Sequence, residues 1–524
     1  MRFSLLGLVV AIALYNESLP PALIPLGVVS QIIFSGIAAA LGYDIGLILG
    51  LALKKSGVSK NISWPQNSKY LTLIVFGCIA LFLTWSQLAK QQEYRDLLGI
   101  EAAAPFPLLI FGGTVCVTWA LLRIGILIRT FAGFAANHVR MPAAKAFAHG
   151  IVWMGVAGLG YAIFSLSVVV LQVSLDISSR PQGTEMERPV SSLRSGGPDS
   201  LISWEGLGQK GQEFISRDAR SLDTALFDKL PEKTMDPIRI YAGMGNEPGL
   251  ERRVELIMKD LERVRAFERS AIVFFTPSGS GWVNPIAVEA VEHVTRGDSA
   301  SVSLQYSDNQ AIVQYIRDRK RPGKASTLLF SKIRQRASLI PQEQRPKLYI
   351  YGESLGSLGS QQVFIKKPLE EITRDIDGAL WVGSPASGPL WSLFGLPQVF
   401  GKSTADSAHR VVVRVGTRAE DLLEAPDSWG PSRVAFLYNV TDPVVWSVPH
   451  LAYRYPEWLK KPRSPQINEQ ARWWPALTFG HIWFELFSAK NMPSGIGHAY
   501  DMEIPCAMAT VMQIGINEMC HNQS

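Results

Sequence analysis

Residues 26–53 form an apolar run broken only by Gln31 and Asp44, and that run leaves the chain one choice of local structure. Inside hydrocarbon each backbone N–H and C=O must find its partner within the segment, which a helix provides and an open strand does not. About 20 apolar residues cross a bilayer, so the stretch is long enough. Residues 71–85, lengthened by Tyr70 and Leu88, and residues 106–128 and 151–173 repeat the pattern with almost no charge apart from Arg123. Residues 3–15 are apolar but short and follow Arg2. No small-residue cleavage site comes after them, so they read as a first span or half-span. The expectation is an all-α transmembrane domain over residues 1–175, with about five spans.

Lys and Arg in the loops give the orientation. Lys54, Lys55, Lys60 and Lys69 fill one loop without an acid; Arg129, Arg140 and Lys145, helped by Arg123, fill another. The loop between them balances Lys90 and Arg95 with Glu93, Asp96 and Glu101. The two basic loops are expected in the cytoplasm, which puts everything after Val173 outside it. Much of the net charge of +6 belongs to these loops, where it favours anionic lipid headgroups. No aromatic-interleaved basic stripe, finger or helix-turn-helix pattern appears, so no nucleic-acid partner is expected. Of the four cysteines, Cys78 and Cys116 fall in apolar spans. Cys506 and Cys520 lie near the chain end, either as a disulfide or as two free thiols. No Cys/His spacing resembles a metal site, and no cofactor is expected.

Residues 176–198 read as a polar linker, mobile and lying at the membrane surface. From residue 199 to 524 short β-branched runs alternate with amphipathic segments. Strands are expected at 238–243, 271–276, 301–306, up to Ser354, at 378–383 and at 434–438; helices at 250–263, 286–294, 310–317, 325–337 and 358–364. Such alternation predicts a mostly parallel sheet with helices on both faces and ligands at the carboxyl ends of its strands.

Gly352-Glu353-Ser354-Leu355-Gly356 follows the strand-like run Lys347-Leu348-Tyr349-Ile350-Tyr351 and opens a helix. Strand, G-x-S-x-G and helix in succession make a nucleophile elbow, whose tight turn holds a serine hydroxyl at the sheet edge. A serine needs a histidine base oriented by a carboxylate. Among eight histidines, His498 lies in a late Gly-rich loop, where a strand-end histidine belongs. Asp442 follows a strand and precedes Pro443, between Ser354 and His498; Asp377, Asp421 and Asp501 are weaker competitors. The expected oxyanion donors are the amide of Leu355 and amides of the loop Ser278-Gly279-Ser280. Trp282, Tyr306, Trp391 and Trp446 are the candidates for lining a substrate pocket, with ordinary core as the competing role for the two in the aromatic insertions.

On these residues the chain resembles bacterial membrane-anchored α/β-hydrolases, which have a multi-span amino-terminal domain and a carboxyl-terminal catalytic domain. The resemblance is carried by residues 239–243, 276–283, 304–307, 351–357, 377–383, 442–446 and 495–500, and it covers the domain from about Trp204 onward. Ile496 stands where a histidine or polar residue is expected, and Ser278-Gly279-Ser280 where Thr-Gly-Thr is more familiar. The resemblance implies a lipase- or esterase-like serine hydrolase with Ser354, Asp442 and His498 as its triad, acting on a lipid or other acyl ester at the membrane. The competing expectation is a scaffold or transport accessory whose hydrolase-like domain is inert, with Asp44 as its telling residue. Oligomeric state is not legible.

Overall fold

The computed structural model describes residues 4–56, 66–137, 186–216, 234–393, 412–423 and 429–520. The chain divides into two compact units. Met1–Pro181 groups with His450–Tyr455 and Pro465–Ser488, and Gln182–Pro449 groups with Pro456–Ser464 and Ala489–Ser524.

The amino-terminal part of the first unit is described as four apolar helices: α1 (Leu5–Ser18), α2 (Val28–Lys55), α3 (Gln66–Leu97) and α4 (Pro107–Asn137). Three of them, α2, α3 and α4, are long and apolar enough to cross a membrane. At about 1.5 Å per residue, the 14 residues of α1 fall short of a hydrocarbon layer about 30 Å thick. The expected span 151–173 lies outside the described residues. Helices α1 and α2 touch backbone to backbone. A Cβ at Gly42 would stand 2.7 Å from the Val10 carbonyl oxygen, and one at Gly46 2.5 Å from that of Leu6, the close approach that small residues permit between membrane helices.

The segment 465–488, which falls within the expected catalytic domain 199–524, is tied to these helices. The fully buried Glu485 accepts the amides of Ala22 and Leu23 at 2.8 and 3.0 Å and contacts His481 Nδ1 at 2.9 Å. Asn468 donates to the Pro21 carbonyl at 3.2 Å and Trp474 to Glu17 at 2.7 Å.

The second unit is built on seven parallel strands: β1 (Ile238–Ala242), β2 (Ala271–Thr276), β3 (Ser299–Leu304), β4 (Lys347–Glu353), β5 (Gly378–Val382), β6 (Val413–Gly416) and β7 (Arg433–Leu437). Their order is β1-β3-β2-β4-β5-β7-β6, with Gly352 paired to Thr276 on one side and Trp381 on the other. Strands buried on both faces read as continuous apolar runs, as Ala271–Thr276 does. Helices Leu250–Arg263, Arg321–Ala337 and Leu355–Gln361 pack together, and Pro285–Val294 packs separately against Ile504–Met512. A disulfide joins Cys506 to Cys520. Residues 186–198, expected as linker, supply a short parallel bridge to the edge of β1: Arg194 pairs with Arg239, whose amide donates to the Leu193 carbonyl at 3.2 Å.

Candidate active site

The central strand β4 ends at Ser354, whose backbone sits at φ 57° and ψ −120°. A left-handed φ on a serine is strained and persists only where the surroundings enforce it. Here Leu355–Gln361 starts at the next residue, and the Ser354 amide donates to the Val382 carbonyl of β5 at 2.9 Å. Both flanking glycines are sterically required. A Cβ at Gly352 would come within 2.8 Å of the Gly356 backbone, and one at Gly356 within 2.2 Å of the Thr276 carbonyl oxygen.

Asp442 stands five residues beyond β7 and is fully buried. Its Oδ1 accepts the Val444 amide at 2.8 Å, capping the turn that Pro443 begins. Its Oδ2 lies 2.7 Å from His498 Nδ1 and accepts the Tyr500 hydroxyl at 2.6 Å. The histidine loop is fixed by its backbone. The amide of His498 donates to the Ala489 carbonyl at 2.7 Å, Gly497 to Thr441 Oγ1 at 3.0 Å, and Asn439 Nδ2 reaches the carbonyls of Gly497 and Ala499. At the end of β5 Gly383, at φ +54°, leaves room for the ring: a Cβ there would sit 2.5 Å from His498 Cε1. Burial, and then the charge of Asp442, hold the Tyr500 phenol well above its ordinary pKa, so it remains a donor.

With Nδ1–H directed to a carboxylate, Nε2 of His498 keeps the lone pair a general base needs. That atom is buried with no hydrogen-bond partner among the described residues. It faces Glu353 Oε1 at 3.8 Å. Ser354, 8% exposed, is two strands away from Asp442 at the same sheet edge. The structure joins Asp442 to His498 and holds no hydrogen bond between His498 and the Ser354 hydroxyl.

In the loop after β2 the Ser278 amide donates to the Trp282 carbonyl at 2.8 Å, and the Gly279 amide lies against the Tyr306 hydroxyl. The amides of Ser280 and Leu355 carry no partner among the described residues. Tyr241, Gln305 and Tyr306 pin the loop by donating to the carbonyls of Gly281, Ser280 and Pro277 at 2.9 Å each. Tyr306 is therefore buried against the loop rather than open to a ligand. Trp391 and Trp446 are buried with Tyr438 in an edge-to-face aromatic cluster. Trp282 is half-buried, with Lys490 Nζ 4.1 Å from the ring centre.

The competing acids lie elsewhere. Asp377, pushed above the usual carboxyl range by burial, accepts the Leu348 amide at 2.8 Å at the opposite end of the sheet. Asp421 caps the Thr417 amide, and Asp501 accepts from Asn284. No group of three or more His, Cys, Asp or Glu side chains able to hold a metal occurs among the described residues. Sequence reasoning passed over Tyr500, Asn439, Gly383 and Glu353. The one signal available was an acid at the end of an otherwise apolar strand.

Two family models match the chain. The family model described as the α/β-hydrolase family matches residues 238–521, and the model of that family's N-terminus matches residues 19–218. No curated protein and no solved structure matches the chain.

Proposed function

Because the chain belongs to the α/β-hydrolase family, we propose that it is a membrane-bound serine ester hydrolase that cleaves or transfers an acyl group of a lipid or envelope ester. The observation that carries this reading is the buried 2.7 Å contact between His498 Nδ1 and Asp442 Oδ2, at the sheet edge where the strained elbow presents Ser354. Ser354 Oγ attacks the ester carbonyl carbon and its proton passes to His498 Nε2. Asp442 orients the ring and stabilises the imidazolium that forms. The amides of Leu355 and Ser280 receive the developing oxyanion. The imidazolium then protonates the departing alkoxide, and water or an acceptor alcohol resolves the acyl group left on Ser354. The link from Ser354 to Nε2 closes on substrate binding, when such bonds tighten.

Three helices able to span a bilayer suit a substrate that resides in the membrane. An extracytoplasmic catalytic unit is supported by the basic loops between spans and by the Cys506–Cys520 disulfide, since such bonds persist in oxidising compartments. The test is turnover of a panel of acyl esters by the full-length protein in detergent. Hydrolysis or transfer of at least one class is expected, with Ser354→Ala lowering kcat by about 10³-fold or more. Equal turnover by the alanine variant contradicts the proposal.

A further inference from the structure

We infer that Glu353 is a positioning residue for His498, a second carboxylate that faces the ring nitrogen opposite the one Asp442 holds and stabilises the imidazolium formed there during the reaction. The inference rests on the triad reading above.

Glu353 is the last residue of β4 and the residue before Ser354. Only 5% exposed, it is an acid that the elbow's backbone geometry does not require. Its two oxygens are unequal. Oε2 accepts Asn284 Nδ2 and the Tyr351 hydroxyl, each at 3.0 Å. An amide nitrogen is a donor only, so this oxygen is an acceptor. Oε1 has no such donor and points at Nε2 of His498, 3.8 Å away. That nitrogen is itself buried and unpartnered.

The groups around the pair are these. Asp442 and Tyr500 face the Nδ1 side. Tyr351 comes from β4 itself, held well above its ordinary pKa by burial and then by the Glu353 charge. Asp501 shares Asn284 Nδ2 with Glu353 at 3.1 Å. All are acidic or neutral, and none brings a positive charge to the ring.

When the Ser354 proton reaches Nε2, the imidazolium lies between two carboxylates, Asp442 on Nδ1 and Glu353 beside Nε2–H. A negative charge at this range in a protein interior is felt strongly, and it acts on the charged ring more than on the neutral one. Glu353 therefore stabilises the imidazolium that forms when the serine proton arrives.

The experiment is the pH dependence of fluorophosphonate labelling and of ester kcat/KM, in the parent, Glu353→Gln and Glu353→Asp. The approach of labelling to its end point reports folded molecules only, so a variant that folds in low yield still gives its profile. With Glu353→Gln the acidic limb is expected to move down by about one pH unit. The plateau kcat should fall about tenfold and KM should change little. Glu353→Asp keeps the charge and is expected to recover part of both effects. A Gln variant that loses rate with its acidic limb where the parent has it reduces Glu353 to a packing role and overturns the inference. A parent protein that neither labels nor turns over esters removes the triad reading, and this inference with it.

Discussion

The Tyr500 phenol accepts the Asn439 amide at 3.0 Å and donates to Asp442 Oδ2 at 2.6 Å, so it shares that oxygen with His498. Tyr500→Phe leaves the fully buried Asp442 one donor short. Hydrogen bonds to charged groups contribute about 1.5–3 kcal/mol, and a fall of about tenfold or more in kcat is expected, with Km nearly unchanged. The same phenol has a pH signature. Its folded pKa is raised by burial and by Asp442, so the folded chain keeps a proton that the unfolded chain gives up near pH 10. Stability from this source is intact below about pH 10 and declines as pH rises beyond it. Thermal melts of parent and Tyr500→Phe between pH 8 and 11 check the sign: the parent should lose stability more steeply. Identical slopes contradict the assignment.

At the level of elements, the segment 465–488 depends on Glu485. Replacing this buried carboxylate by alanine strands the amides of Ala22 and Leu23 and one nitrogen of His481. A loss of about 3 kcal/mol in the helical unit is expected, read as a lower melting temperature in detergent. An unchanged melt counts against this anchor. The sequence could not reveal it, because an acid among Phe479, Trp483 and Phe484 looks the same whether it caps a local turn or a loop over 460 residues away. Strands 271–276 and 378–382 and helix 250–263 were legible to within a residue, since buried parallel strands and amphipathic helices write their own periodicity. Strand β6 was missed: it is four residues long and at the sheet edge, and Arg414, stacked on Trp429, breaks its apolar run. The turn at Ser354 and the contact of Asp442 with His498 could be anticipated because the motif marks one and chain order restricts the others. Glu353 and Tyr500 were not, because their roles depend on which atoms they face.

At the scale of the whole molecule, chain connectivity matters. Between Asp442 and His498 the chain leaves the hydrolase unit twice, contributing 450–455 and 465–488 to the helical unit, and returns for Pro456–Ser464 and again at Ala489. A protein confined to residues 199–524 would carry 450–455 and 465–488 without the helices they group with, so the full chain is the form to assay. Orientation is checked by fusing alkaline phosphatase after Ser524; activity is expected, and a fusion active only when placed in the first basic loop reverses the topology. The central claim is the serine chemistry, and its most direct test is mass-spectrometric mapping of a fluorophosphonate adduct on the detergent-solubilised protein. The account predicts an adduct on the peptide carrying Ser354, absent in Ser354→Ala and strongly slowed in His498→Ala. An adduct that persists in Ser354→Ala, or one formed equally fast without His498, contradicts it.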